Sequence, residues 1–297
     1  MSITEIGWIG TGVMGFYMCE HLIKAGYHLT IFNRTKSKAE ALIGLGAKWV
    51  DSPKQVAEAS QIICIMVGFP YDVRDVVLNQ TNGVLAGCKE GDIICDFTTS
   101  TPTLAKNIYE EAKMKGVRTL DCPVSGGDVG AKEARLTIMC GGDKEAFDQM
   151  IPLFKIMGKT YNLMGGAGAG QHTKAVNQTI IASTMIGVCE GLLYAQRSGL
   201  DPTEVLNAVG GGAAASFSLS VYWPRVVKGD LSPGFFVKHF VKDLTIVCEE
   251  CDKMGIVLPG VQKAKELYTM LRDEIEGGAE MGTQALIKVL EKINKKE

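Results

Sequence analysis

Lys174 is the residue in this chain best placed to move a proton. It follows the glycine-rich stretch Gly165–Gly170 and precedes the apolar residues Ala175, Val176, Ile180 and Ile181. Partial burial or a neighbouring cation lowers a lysine pKa toward neutrality. Such an amine can exchange a proton with a reacting hydroxyl or carbonyl. Asn177 lies three residues on, on the same helix face. His172 has the more convenient intrinsic pKa, but it falls about 200° from Lys174 around a helix of 3.6 residues per turn. The two therefore do not both face one site. A lysine on a helix is ordinarily solvated. The glycines before this one and the apolar run after it set it apart.

A second group of residues could hold phosphates. Gly10-Thr11-Gly12-Val13-Met14-Gly15 follows an apolar run and opens a helical pattern. In that context the first glycine permits a tight turn, the second lets a pyrophosphate approach the backbone, and the third lets helix and strand pack closely. The helix N-terminus then offers free N–H groups and a favourable dipole to the anion. At the end of the next strand, Asn33-Arg34-Thr35 contains no acid. An NAD-specific domain usually places Asp or Glu there for the ribose 2′-hydroxyl. An arginine instead suits a 2′-phosphate, with its planar fork of donors. The pattern favours NADP(H) and leaves NAD(H) open.

Asp121-Cys122-Pro123-Val124-Ser125-Gly126-Gly127 ends another strand. Two successive glycine N–H groups beside a hydroxyl can form an anion nest, suited to a substrate carboxylate. Taken alone it is equally a plain glycine turn. Lys242-Asp243, with His239 three residues earlier, reads by itself as surface charge. Cys248-x-x-Cys251 has the spacing of half a zinc site, but no second pair accompanies it. No metal is expected.

These groups need a scaffold. Apolar strand-like runs at Ile3–Ile9, Leu29–Phe32, Ile62–Val67, Ile93–Phe97, Arg118–Asp121 and Leu136–Cys140, with a weak one at Lys48–Val50, alternate with helical patterns. Nearly all are fully apolar, which means a parallel sheet covered on both faces. Ser52-Pro53 and Thr101-Pro102 are helix starts. Beyond residue 165 only helical patterns remain, near 170–198, 202–210, 216–227, 235–254, 260–275 and 283–294. The expected architecture is an α/β Rossmann-like N-terminal domain, residues 1–164, and an all-α C-terminal domain, residues 165–297. The long helix 170–198 joins them.

A chain of 297 residues with 46% hydrophobic and 22% charged content is that of a globular protein with room for two domains. A net charge of −2 gives no field for nucleic acid or an anionic membrane. No apolar run of spanning length and no secretion signal are evident. Nine cysteines in a chain this long do not make a disulfide framework, and a reduced, cytoplasmic setting is expected. The charge-rich residues 292–297 read as a frayed helix end. Apolar, charge-poor stretches near 176–195 and 213–223 suggest a subunit interface, and a homodimer or homotetramer.

Together the motifs resemble the β-hydroxyacid dehydrogenase family, which includes 3-hydroxyisobutyrate dehydrogenases, tartronate semialdehyde reductases and glyoxylate/succinic semialdehyde reductases, and is related to 6-phosphogluconate dehydrogenase. The resemblance rests on Gly10–Gly15, Asp121–Gly127, Gly168-x-Gly170-x-x-x-Lys174-x-x-Asn177 and Lys242-Asp243-Leu244. It implies that Lys174 is the general acid/base and that Ser125, Gly126 and Gly127 hold the substrate carboxylate. It implies that Asn177, with Gln178 beside it, places the substrate, and that Lys242 lies near the nicotinamide. Thr99, Met66 and Val67 would line the cofactor cleft, at strand ends where open sheets bind ligands. Three positions depart from the family pattern. Gln178 stands where many members have a second asparagine, Cys122 where many have alanine, and Val67-Gly68 where many have Leu-Pro. The implied activity interconverts a short β-hydroxy acid and its semialdehyde or oxo acid. Imine reduction on the same scaffold and a non-catalytic NADP-binding protein are the alternatives.

Overall fold

The computed structural model describes residues 5–295. The expected strand residues Ile3 and Thr4, and the last two residues of the expected frayed end, lie outside them. The chain forms two compact units, Met1–Lys174 and Ala175–Glu297.

In the first unit the elements run β1 (Glu5–Ile9), α1 (Val13–Lys24), β2 (His28–Phe32), α2 (Glu40–Gly44), β3 (Lys48–Trp49), α3 (Pro53–Glu58), β4 (Ile62–Ile65), α4 (Pro70–Leu78) and α5 (Val84–Gly87). They continue as β5 (Ile93–Asp96), α6 (Pro102–Lys113), β6 (Arg118–Asp121), β7 (Val124–Ser125), α7 (Gly127–Lys132), β8 (Leu136–Gly142), α8 (Lys144–Met157) and β9 (Gly158–Gly165). The sheet order is β3-β2-β1-β4-β5-β6-β8-β7, with β9 also paired to β8.

The first six strands pair in parallel. Their continuous apolar sequence has a simple cause: successive side chains enter opposite cores. Ile62, Cys64, Ile93 and Cys95 join one core with Trp8, Leu22 and Phe97. Ile63, Ile65 and Ile94 join the other with Val56, Leu104 and Ile108. Helix starts follow the sequence signals. Ser52 Oγ accepts from the Gln55 N–H at 3.2 Å, and Thr101 Oγ1 accepts from the Leu104 N–H at 3.1 Å.

The all-parallel expectation fails at one edge. β8 runs antiparallel to β6 and β7, and parallel to β9. Strands β7 and β9 were not expected. β7 is two residues long, too short for any period. In β9, Tyr161 and Leu163 pack on the core while their neighbours stay exposed, an edge-strand alternation in an otherwise polar stretch.

The second unit is helical: most of α9 (Ala169–Arg197), then α10 (Pro202–Val209), α11 (Phe217–Val227), α12 (Val237–Met254), α13 (Pro259–Glu274) and α14 (Leu286–Ile293). The boundary between units falls inside α9, after Lys174. Ala182, Met185 and Cys189 of α9 pack with Phe240 and Leu244 of α12 and Tyr268 of α13. Phe240 and Tyr268 meet edge to face, with ring centroids 4.7 Å apart. By length and composition α9 is comparable to a membrane span, yet this side of it belongs to the helical core.

One line along α9 is buried: Gln171, Lys174, Gln178, Ala182, Met185, Cys189 and Leu192. It is polar at its first end and apolar beyond. Ile180, an apolar residue that its type alone would place in the packed body of the helix, is 62% exposed. It lies two residues, about 200°, from Ala182 around the helix.

Candidate active site

The glycine loop sits at the C-terminal edge of β1. The Gly10 N–H donates to the Phe32 carbonyl at 2.9 Å. Gly10 has φ +95°, and a Cβ there would lie 2.1 Å from the Met66 carbonyl oxygen. The Met66 N–H in turn donates to the Ile9 carbonyl at 2.8 Å. Gly10 and Met66 are thus brought together. Gly12 differs: a Cβ there would meet nothing within 4 Å. Internal packing therefore gives no reason for glycine at position 12. The space beside it, at the start of α1, is open.

Helix α1 begins with no side-chain cap and no acidic residue in its first turn. Uncapped N–H groups beside open space fit an anionic pyrophosphate. Val13 is half exposed there, Met14 packs on the sheet core, and Thr11 is buried. Asn33 Oδ1 accepts from the Thr11 N–H at 3.0 Å, and Asn33 Nδ2 donates to the Thr35 carbonyl at 2.8 Å. Asn33 thus fastens the glycine loop to the end of β2.

Arg34 and Thr35 are exposed. The Arg34 guanidinium lies 3.1 Å from Asp72 Oδ1, with its side chain 86% exposed. An ion pair this exposed holds weakly. The other oxygen of Asp72 caps the Phe69 N–H at 3.1 Å at the start of α4.

The strand ends that carry Val67 and Thr99 are bonded to each other. Thr98 Oγ1 accepts from the Val67 N–H at 3.0 Å, and Asp96 Oδ1 accepts from the Thr98 N–H at 2.9 Å. Gln171 then clamps both sides of Thr99. Its Oε1 accepts from the Ser100 N–H at 2.9 Å, and its Nε2 donates to the Thr98 carbonyl at 2.8 Å. Sequence reasoning passed over Gln171. The only local signal was a glutamine three residues before Lys174.

Asp121 fixes the start of α9. Its Oδ1 accepts from the Gly168 N–H at 2.7 Å and its Oδ2 from the Gln171 N–H at 2.8 Å. Burial pushes its carboxyl up to about 6, against the pull of these backbone bonds. A Cβ on Gly170 would lie 2.3 Å from the Asp121 carbonyl oxygen, so only glycine lets the two segments approach. Lys174 Nζ donates to the Val124 carbonyl at 2.9 Å, and Lys174 is 6% exposed. The lysine is therefore docked on β7, next to Ser125. Gly126 and Gly127, both with positive φ, turn the chain from there into α7. His172 is half-buried, off the buried line that holds Lys174.

The second unit carries the remaining candidates in one chain of polar groups, buried at Gln178 and Asp243 and half-buried at Asn177. Asn177 Nδ2 donates to Gln178 Oε1 at 2.7 Å, and Gln178 Nε2 donates to Asp243 Oδ2 at 2.6 Å. Lys242 Nζ lies 3.1 Å from Asp243 Oδ1, with side-chain exposures of 11% and 1%. The Lys242-Asp243 pair, a surface feature by sequence alone, is buried. Burial and the Lys242 charge lower His239 to about 4. Cys248 and Cys251 are free thiols on α12, half-buried and buried. No group of three or more potential metal ligands occurs among the described residues. Cys122 is buried in the sheet core, where burial holds its thiol well above the usual range.

Comparison with known proteins follows the same division. Residues 5–166 match the family described as the NAD binding domain of 6-phosphogluconate dehydrogenase. Residues 168–290 match the NAD-binding domain of NADP-dependent 3-hydroxyisobutyrate dehydrogenase. The chain is 51% identical over 293 residues to probable 3-hydroxyisobutyrate dehydrogenase-like 1, mitochondrial, of Arabidopsis thaliana, covering 99% of this chain and 87% of that protein. It is 36% identical to 2-hydroxy-3-oxopropionate reductase of Escherichia coli K12, covering 97% of each. Among solved structures, 3-hydroxyisobutyrate dehydrogenase of Mycobacterium tuberculosis with L-serine matches with a TM-score of 0.88 at 25% identity, covering 97% of this chain and 99% of that one. An imine reductase from Pseudomonas sp. matches with a TM-score of 0.61 at 18% identity, covering 97% and 99%. That more distant likeness is one of fold alone.

Proposed function

This chain belongs to the 3-hydroxyisobutyrate dehydrogenase family of NAD(P)-dependent oxidoreductases, and from that premise we propose that it interconverts a short β-hydroxy acid and its semialdehyde or oxo acid, with Lys174 as general acid/base. The observation that carries the assignment is a buried lysine held 2.9 Å from a backbone carbonyl, immediately before the Ser125-Gly126-Gly127 turn. A lysine is rarely buried without a partner or a task.

Bound NADPH supplies the hydride for reduction, and NADP⁺ accepts it in oxidation. Gly10, Gly12 and Gly15, with Thr11, Val13 and Met14, would cradle its pyrophosphate, and Met66, Val67 and Thr99 would flank it. Arg34, with Asn33 and Thr35, would favour a 2′-phosphate. The Ser125 hydroxyl and the Gly126 and Gly127 N–H groups would receive the substrate carboxylate. In reduction, ammonium Lys174 donates a proton to the carbonyl oxygen. In oxidation, neutral Lys174 removes the hydroxyl proton. The Val124 carbonyl restrains Nζ beside the Ser125-Gly126-Gly127 turn. Asn177 and Lys242 serve substrate placement and the nicotinamide respectively.

The functional division runs with the sequence: a cofactor domain to about residue 164 and a helical domain from 165. A homodimer or homotetramer and a cytoplasmic location are part of the same reading. Val176, Ile180 and Tyr194, exposed along α9, support a subunit interface. A rate screen tests the function directly. The substrates are 3-hydroxyisobutyrate with NADP⁺, and 2-hydroxy-3-oxopropionate, glyoxylate and succinic semialdehyde with NADPH, each repeated with the NAD form. Turnover of 3-hydroxyisobutyrate or 2-hydroxy-3-oxopropionate, faster with the phosphorylated cofactor, is the expected result. Turnover of glyoxylate or succinic semialdehyde alone, whose products are α- and γ-hydroxy acids, contradicts the β-hydroxy assignment. No turnover of any, despite NADPH binding, removes the reading.

A further inference from the structure

We propose that Gln178 is a positioning residue that ties Asn177 to the Lys242–Asp243 ion pair, so that one buried amide sets both the substrate-side and the nicotinamide-side groups of the helical unit. This rests on the roles of Asn177 and Lys242 given under Proposed function. It replaces the expectation that Gln178 contacts the substrate.

Four residues form the chain, and its polarity follows from elementary hydrogen-bond chemistry. Ionised Asp243 can only accept. Gln178 must therefore turn its Nε2 toward Asp243, at 2.6 Å, which leaves its Oε1 toward Asn177. Asn177 must then donate through Nδ2, at 2.7 Å. A flipped Gln178 amide would set two oxygens against each other at the Asp243 end. The orientation of Asn177 is thus dictated from α12, through Gln178. At the far end, Lys242 Nζ lies 3.1 Å from the second oxygen of Asp243.

Burial gives this chain its force. Gln178 and Asp243 are each 2% exposed. Both ends of the Gln178 amide are occupied within the protein, and almost none of the residue is open to a ligand. A buried carboxylate that loses a hydrogen-bond donor faces a large desolvation cost. It will shift toward its remaining partner, Lys242. The side-chain length matters too. Asparagine is shorter by one carbon–carbon bond, about 1.5 Å. From the same backbone it cannot keep both bonds.

The test is a double-mutant cycle on substrate and cofactor constants. Gln178→Met keeps the length and removes both bonds. It should raise the KM for the hydroxy acid or oxo acid, and also raise the NADP(H) dissociation constant, each by roughly 5-fold or more, consistent with a buried hydrogen bond to a charged group. Asn177→Ala should raise the substrate KM alone. In the double variant the substrate KM should equal that of the worse single variant, because Gln178 acts on substrate only through Asn177. Gln178→Asn should show the same two-sided loss and serves if the methionine variant does not fold. A substrate effect that multiplies with Asn177→Ala, without change in NADP(H) binding, would make Gln178 a direct substrate ligand and overturn the proposal. Unchanged constants in both variants would also overturn it. NADP(H) binding is read by calorimetry without turnover. A wild-type protein inactive on every short acid would therefore sink the functional reading, while the cofactor arm still decides the coupling of Gln178 to Lys242.

Discussion

Lys174 Nζ and the Val124 carbonyl oxygen are 2.9 Å apart, although fifty residues of chain separate them. The bond places the amine on the strand that leads into Ser125-Gly126-Gly127. It joins the candidate proton carrier to the candidate carboxylate nest through a backbone carbonyl. Four predictions follow from this and the neighbouring contacts.

Replacing Lys174 with Ala should lower kcat by about 10²–10⁴-fold, the usual worth of a general acid/base. NADPH affinity should stay near wild type. Lys174→Arg keeps a cation, but a guanidinium does not deprotonate. Oxidation of the hydroxy acid should therefore remain lost in that variant. Steady-state kinetics with a binding titration checks both, and an undiminished rate in the alanine variant would remove Lys174 from the mechanism.

Arg34 stands exposed beside Asp72 and contributes little to stability there. Arg34→Ala should leave the melting temperature within about a degree or two, as for most surface changes. It should raise the KM for NADPH by at least about 10-fold, the scale of a charge-assisted bond, with little effect on NADH. Equal losses for both cofactors would contradict a 2′-phosphate contact.

Gly10 and Gly12 should fail in different ways. Gly10→Ala forces a side chain into the Met66 carbonyl at positive φ, so stability should fall by about 2 kcal/mol or more. Gly12→Val meets no protein atom within 4 Å of its Cβ. It should fold normally and lose NADP(H) affinity by an order of magnitude or more, because the side chain occupies the space proposed for pyrophosphate. Thermal unfolding beside cofactor titration separates the two.

Asp121 should write a signature into the pH dependence of stability. Its carboxyl is raised by burial to about 6 from an ordinary 3.8. The native state therefore binds this proton more tightly than the unfolded chain. The stabilisation is fully present below about pH 4 and is lost as pH rises through 6, a change of about 3 kcal/mol. Asp121→Asn cannot titrate. The unfolding free energy of wild type minus that of the variant should fall between pH 4 and 7 in urea titrations. A flat difference would place the carboxyl in its ordinary range.

Much of the scaffold was legible because it is written locally. Ser52-Pro53 and Thr101-Pro102 start helices through contacts within four residues. The Gly10–Gly15 loop declares itself by its position between an apolar run and a helical pattern. Strands β1, β4 and β5 were visible because burial on both faces demands unbroken apolar sequence. Strand β8 was visible too, but not its reversal, because strand direction depends on the connection and not on composition. Ile180 was placed in the core by its type alone. The rotation of α9 about its axis decided that it is exposed.

The candidate site divides in the same way. By itself the sequence determined which residues could do chemistry: the glycines, Arg34, Lys174, Asn177 and the Asp121–Gly127 run. Only the tertiary structure decided what each is bonded to. Asp121 caps a helix 47 residues away, Gln171 clamps the backbone around Thr99, and Gln178 reaches Asp243 across 65 residues. Lys242-Asp243 looked like solvated charge until folding buried it. The physical reason is that a buried polar group must find a partner, but its sequence does not name one. The partner is whichever distant group the packed helices and strands bring within about 3 Å.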